Sequence, residues 1–208
     1  MRGCGARSLS IWAVTILGVA TFLGAAPLPP EQAAPSGNSE VVLTLDPAQS
    51  KVHYTVDSTL HTVHGSFALK SGIVHFDPQT GKAGGEIIVY APSGASGNGS
   101  RDKRMHKEIL ETAKYPEVIF RPTQIEGTVG QSGPADVKLS GIFSIHGADH
   151  NVIAQVHAEL TGDRWRGTSK FEVPYVNWGI KDPSNFLLKV KPVVNVELEM
   201  SGSVNTAR

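Results

Sequence analysis

The sequence predicts an all-β fold, an extended antiparallel barrel of eight strands with one short inserted helix, and three observations carry that expectation. From Val41 onward apolar residues recur at every second position, the period of a strand that turns one face inward. The runs are separated by Gly-, Pro- and Asp-containing turns short enough to join antiparallel neighbours. A sheet of this length is most economically closed on itself, because closure removes exposed edges. A two-sheet sandwich is the architectural alternative.

The first 26 residues stand apart from the pattern. Arg2 and Arg7 precede an uncharged apolar run from Ile11 to Leu23, and the small residues Gly24, Ala25 and Ala26 follow it. This is the layout of a secretory signal cleaved near Ala26. The run falls short of the about 20 residues that span a bilayer, although an uncleaved anchor is the competing reading. In either case the domain is expected to leave the cytoplasm for a periplasmic or secreted location. Cys4, the only cysteine, precedes the apolar run and would depart with the signal. The mature chain would then hold no disulfide and depend on a packed core, for which about 180 residues suffice. Removing residues 1–26 takes two of the 19 basic residues and none of the 19 acidic ones, leaving a formal charge of −2. That balance disfavours nucleic-acid binding. Residues 27–40 contain little to bury and are expected to form a flexible leader. The barrel domain is expected over 41–203, with 204–208 as a tail.

The strands follow in order. A short lead-in is expected at Val41 to Leu45, then strands at Lys51 to Asp57 and Val63 to Phe76. In the latter the inward phase changes from odd positions (Val63, Phe67, Leu69) to even ones (Val74, Phe76), which predicts a bulge at Ser71-Gly72. Bulges of this kind curl a sheet toward closure. Further strands are expected at Gly85 to Ala91 and Val118 to Ile125. Alternation then groups Val137, Leu139, Phe143 and Ile145; Val152, Ala154, Val156, Ala158 and Leu160; Phe171, Val173 and Tyr175; and Val194, Val196, Leu198 and Met200. Asp77-Pro78-Gln79-Thr80-Gly81 and Gly147-Ala148-Asp149 are expected as tight turns. One segment breaks the period: Ser100 as cap, Asp102 at the positive end of the helix dipole, and Met105, Ile109 and Ala113 at four-residue spacing predict a helix to about Lys114. Pro116 is expected to stop it.

Several stretches, in this order, resemble the bacterial YceI family. They are Ser50-Lys51-Val52, Val63-His64-Gly65-Ser66-Phe67, Arg101-Asp102, Lys114-Tyr115-Pro116-Glu117-Val118-Ile119-Phe120, and Leu139-Ser140-Gly141-Ile142-Phe143-Ser144-Ile145-His146-Gly147. The resemblance covers roughly Leu43 to Gly202. It implies a lipocalin-like periplasmic barrel, and members of the family include polyisoprenoid binders. Two stretches depart from the family pattern. His106-Lys107-Glu108-Ile109-Leu110 stands where many relatives carry adjacent phenylalanines, and Val176 to Pro183 differs from the usual aspartate-phenylalanine ending. The resemblance therefore bears more on the fold than on any particular lipid.

An eight-stranded barrel is just wide enough to be filled by side chains or to hold one small ligand. Small inward residues, Gly65, Gly141, Ala154, Ala158 and Ser169, are expected to leave room among larger ones. The candidate wall is Val63, Phe67, Leu69, Phe120, Phe143, Ile145, Val156, Phe171, Tyr175, Val194, Val196 and Leu198. Trp178, Phe186 and Leu187, apolar residues in a Pro- and Gly-containing loop, are expected to line the mouth, unless the loop only plugs the barrel end. The expected partner is a long apolar isoprenoid or quinone-like ligand, and a homodimer is left open. A dry, packed barrel acting through its surface as a structural or stress-related envelope protein is a competing reading.

No catalytic residue and no cofactor is assigned. Glu197 and Glu199 fall on a regular outward face, and no Gly-x-Ser-x-Gly elbow or His-Glu-x-x-His occurs. A metal-assisted enzyme would draw on His61, His64, His106, His146 and His150, but none of these has the spacing and acidic partner of a recognised zinc site, so no metal ligand is assigned. Arg101 to Arg104, at the helix start, are read as a solvated charge cluster, with phosphate head-group binding as the rival.

Overall fold

The computed structural model describes residues 40–206; the expected signal and leader, but for Glu40, lie outside the described residues. Among the described residues nine strands run β1 (Val41–Leu45), β2 (Lys51–Asp57), β3 (Thr62–Phe76), β4 (Ala83–Ala95), β5 (Glu117–Glu126), β6 (Gly133–Ile145), β7 (Ala148–Thr161), β8 (Arg164–Val173) and β9 (Val194–Thr206). All neighbours pair antiparallel, in the ring order β3-β2-β9-β8-β7-β6-β5-β4, and β4 closes back onto β3. The ring has eight staves because β1 and β2 share one of them. β2 lies between Thr62–Phe67 of β3 and Asn195–Glu199 of β9, whereas β1 lies between Ile73–Phe76 and Gly202–Thr206 of the same two strands.

The jog between these half-staves is pinned to β9. Asp46 N–H donates to Ser201 O at 2.8 Å, and Ser201 N–H donates to Ser50 Oγ at 3.3 Å. Glycine at 202 lets β1 approach, since a Cβ there would stand 1.8 Å from Thr44 O. β9 continues through Thr206, so residues 204–206, expected as tail, are strand.

The expected bulge in β3 is present: the register against β4 shifts between Leu69 and Ser71, and again between Ser66 and Ala68. The β6–β7 turn is a two-residue loop one position earlier than expected, with His146 (φ 52°) and Gly147 (φ 77°) both left-handed, as the twist of a tight hairpin demands. β8 starts seven residues before Phe171, because its inward positions Trp165, Gly167 and Ser169 include two small residues that mask the apolar period. Tyr175 lies beyond its end, in a turn where Tyr175 N–H donates to Val173 O.

The helix differs most from expectation. α1 spans only Gly99–Arg104 and is capped by Asn98, whose side chain accepts from Arg101 N–H at 3.0 Å, not by Ser100. Asn caps as well as Ser and stands two residues closer to the extended chain. A π-helical turn over Met105–Ile109 follows, and Glu111 enters left-handed backbone (φ 44°). The helix therefore ends before Lys114 without help from Pro116, and Ala113 is exposed.

Packing divides the barrel into two ends. At one, Leu45, Val52, Leu69, Val74, Leu160, Trp165 and Met200 form one cluster, with Phe76, Ile125 and Val137 forming another beside it. At the other, Val173, Tyr175 and Ile180 pack with Ile109, Phe143, Ile145 and Val194.

Candidate functional site

Between the packed end and the α1 end the barrel encloses a cavity of about 340 Å³, within the size range of small-molecule sites. Its wall mixes short side chains, Val52 and Val56 of β2, Val89 of β4, Val152, Ala154 and Val156 of β7, Ser169 and Val173 of β8, and Val194 and Val196 of β9, with larger ones such as Phe67, Phe120, Phe143 and Phe171. An eight-stranded interior is just wide enough to hold one small ligand, and the short side chains keep part of that width open. Along β9 the inward residues Val194, Val196 and Leu198 stay only partly buried, because they face open space, and Met200 at the floor is buried.

Met105, Ile109 and Leu110 cover the hollow from the helical segment, and Ile180, Pro183, Leu188 and Val190 cover it from the β8–β9 connection. A charged latch joins these two covers: Glu108 accepts from Lys181 Nζ at 3.2 Å and pairs with Arg104 Nε at 3.6 Å, while Arg104 also donates to Pro183 O at 3.3 Å. The Lys181 hydrogen bond holds the Glu108 carboxyl below its ordinary range.

Of the candidate wall residues, Val63, Phe67, Phe120, Phe143, Ile145, Val156, Phe171, Tyr175, Val194, Val196 and Leu198 line the cavity. Leu69 does not, because it lies past the hollow in the packed cluster. The mouth expectation needs correction. Phe186 and Leu187 are 93% and 78% exposed. The Asn185 side chain accepts from Leu187 N–H at 2.9 Å and from Leu188 N–H at 2.8 Å, a turn that leaves Phe186 and Leu187 outside and puts Leu188 in the wall. Trp178 lies behind the wall, stacked on His150 with centroids 4.1 Å apart and 5.8 Å from Phe143.

The small residues also divide. Ala154 and Ser169 line the hollow. Gly65 and Gly141 add no room, because Tyr54 covers the first and Phe120 the second; a Cβ on Gly141 would stand 2.5 Å from both the Phe120 ring and Arg121 O. Residues absent from the sequence-based set, such as Val52, Tyr54 and Val56, were marked only by their alternation in β2; Met105 and Ile109 of the cover were marked by four-residue spacing, and the covering residues of the β8–β9 connection by nothing local.

The polar groups of the wall are mostly occupied. Arg101 donates to Ser96 Oγ at 2.7 Å and Ser96 O at 2.9 Å, and Asp102 accepts from Ser96 N–H at 3.0 Å and from its hydroxyl. Burial pulls the Asp102 carboxyl up, but the Ser96 hydrogen bonds and the Arg101 charge outweigh it and hold it below the aspartate range. The charged helix start is thus internally paired. Ser169 Oγ donates to Gln155 O at 2.7 Å, and Tyr54 OH donates to Met105 Sδ at 3.6 Å. Tyr175 OH is buried without a hydrogen-bond partner, and burial, with the Asp182 charge added, pushes its phenol up to about 12.

The histidines are dispersed. His64 contacts Thr55 Oγ1 at 3.0 Å, His106 contacts Gly94 O at 2.8 Å, and His146 pairs with Glu111 at 2.8 Å. Among the described residues no three His, Cys, Asp or Glu side chains converge as a metal site would require. Glu197 and Glu199 lie outside, paired with Lys170 at 2.7 Å and Lys51 at 3.4 Å.

A sequence model of the YceI-like domain matches residues 43–202, most of the chain. The protein belongs to the YceI-like family. Solved structures agree in fold. Burkholderia cenocepacia BcnA superposes with a TM-score of 0.64 at 16% identity, covering 76% of this chain and 99% of its own. A polyisoprenoid binding domain from Saccharophagus degradans, implicated in plant cell wall breakdown, gives 0.60 at 13% identity, with 78% and 98% covered. The Campylobacter jejuni YceI protein gives 0.54 at 17%, with 68% and 84% covered. No curated protein sequence matches the chain significantly. For this YceI-like chain, the identities to the solved structures are low enough that they bear on the barrel and not on its contents.

Proposed function

We propose that this YceI-like barrel binds a long apolar molecule, an isoprenoid or quinone-like lipid, without transforming it, and carries it in the bacterial envelope. The observation that carries the reading is the hollow of about 340 Å³ walled by Val, Phe, Leu and Ile. Burying one isoprene unit contributes on the order of 4 kcal/mol at roughly 0.8 per methylene, before the cost of ordering the chain, so a few units give useful affinity. Family membership and the polyisoprenoid binding domain among the structural relatives support the same ligand class. The envelope location rests on Arg2, Arg7 and the apolar run from Ile11 to Leu23.

The test is to purify the exported protein, extract it with organic solvent and identify bound lipid by mass spectrometry, then to measure uptake of an added polyprenyl ligand. Stoichiometric lipid or uptake is expected. Failure of both would remove the reading. Ala154→Phe and Val196→Phe place bulk in the hollow and are expected to abolish uptake with folding retained. Gly141 is unsuitable for this purpose, because its Cβ meets backbone. N-terminal sequencing of the mature protein tests the signal, with a start just after Ala26 expected.

A further inference from the structure

Among the described residues three buried side-chain polar atoms have no hydrogen-bond partner: His150 Nε2, Trp165 Nε1 and Tyr175 OH. Trp165 belongs to the packed cluster, and His150 lies under Trp178 outside the cavity lining. Tyr175 alone of the three lines the cavity, at 5% exposure. The other buried donors of the wall are occupied: Ser169 by Gln155 O, Tyr54 by Met105 Sδ and Arg101 by Ser96. The Tyr175 backbone is fixed, since Ile180 N–H donates to Tyr175 O at 3.0 Å and Tyr175 N–H donates to Val173 O at 2.9 Å. A buried hydroxyl left unpaired is destabilising and persists where something supplies a partner.

Resting on the reading that the cavity holds an apolar ligand, we propose that Tyr175 OH is its polar anchor, donating a hydrogen bond to an uncharged oxygen on the ligand head, a carbonyl or a hydroxyl. Two features favour an uncharged oxygen over a phosphate. Asp182 is the charged group that acts on the phenol, and its field repels an anion. The arginines of the wall lie on the helical cover and are already paired with Ser96 and Glu108. Tyr175 packs with Val173, Ile180 and Phe143 in an apolar cluster, and a single correctly placed bond is stronger in such low-dielectric surroundings.

The experiment compares the full-length wild type with Tyr175→Phe, which keeps the ring packing, using three probes: phytol, its oxygen-free counterpart phytane, and a short-chain menaquinone. Each is partitioned from vesicles and protein-bound ligand is quantified by mass spectrometry. Tyr175→Phe is expected to weaken phytol or menaquinone about fivefold, the scale of one neutral hydrogen bond, and to leave phytane unchanged. Sensitivity of phytol alone points to a hydroxyl head, and of menaquinone alone to a carbonyl, for which the infrared C=O band shifts down only in the wild type. Equal binding of all three probes by both proteins overturns the anchor and leaves the lipid cavity standing. No binding of any probe by the wild type overturns the cavity reading itself. The empty Tyr175→Phe protein is expected to melt no lower than the wild type, which excludes misfolding as the cause of weaker binding.

Discussion

The ring of Tyr54 covers Gly65, its cross-strand partner: the two pair directly between β2 and β3, and a Cβ on Gly65 would stand 2.4 Å from the ring. The ring also packs against Phe67, at a centroid distance of 5.3 Å, and its hydroxyl reaches Met105 of the helical cover. An aromatic ring laid over a strand glycine restores packing the glycine lacks. Gly65→Ala is therefore expected to push Tyr54 into the cavity and against Met105, costing about 1–3 kcal/mol as overpacking does. Urea denaturation measures this, and an unchanged midpoint would show that the ring moves aside freely.

Bordering the hollow predicts a different cost for one chemical change. Leu69→Ala, in the packed cluster, is expected to cost about 2–5 kcal/mol. Leu198→Ala removes the same atoms from a side chain that packs against that cluster but also borders the hollow and stays only partly buried, and it is expected to cost less. Comparable losses in chemical denaturation would argue that the hollow collapses around its lining.

Exposure predicts that Phe186→Ser is nearly silent. The side chain is 93% exposed and lies outside the cavity lining, so stability is expected to change by no more than about 0.5 kcal/mol. Retained lipid uptake in this variant, beside its loss in Val196→Phe, is the matching functional observation.

The Glu108 latch predicts a pH dependence of the cover. Its carboxyl is held below the ordinary value of 4.5 by the Lys181 hydrogen bond and charge and by Arg104, so the pairing is intact above that value and lost as pH falls through the lowered one. Ligand release, followed by transfer to vesicles, is expected to speed up on acidification. Glu108→Gln is expected to release quickly at every pH, with little change in melting temperature.

At the alkaline end, Tyr175 carries the sign of a raised group. With its phenol moved from 10 to about 12 by burial and by Asp182, the folded protein holds this proton more tightly than the unfolded chain, so stability is undiminished by the group below pH 10 and falls as pH climbs toward 12. Burial also raises Tyr54, so phenolate absorbance is expected to show two late-titrating tyrosines, one of which Tyr175→Phe eliminates.

The helical segment shows where local pattern stops being informative. Four-residue spacing identified Met105 and Ile109 as one face, and both line the cavity. The π-helical turn and the left-handed Glu111 that end the helix arise from its fit over the barrel mouth, which no propensity encodes. The same holds for the β8–β9 connection. Aromatic and aliphatic residues in a loop pointed to Trp178, Phe186 and Leu187, but one Asn185 turn placed Leu188 in the wall and left Phe186 outside.

Alternation located most of the strands and their inward faces, because the period of two belongs to the extended backbone itself; it failed in the first half of β8, where Gly167 and Ser169 interrupt the apolar run. It also marked the β3 bulge, visible as a change of phase at Ser71-Gly72. Depth along the barrel axis was decided only by the tertiary structure. Leu69 and Val63 share the inward phase of one strand, yet one packs into the floor and the other lines the hollow. Strand stagger and ring closure set that depth, and both depend on partners far apart in the chain: β4 on β3, and β9 on the two half-staves β1 and β2.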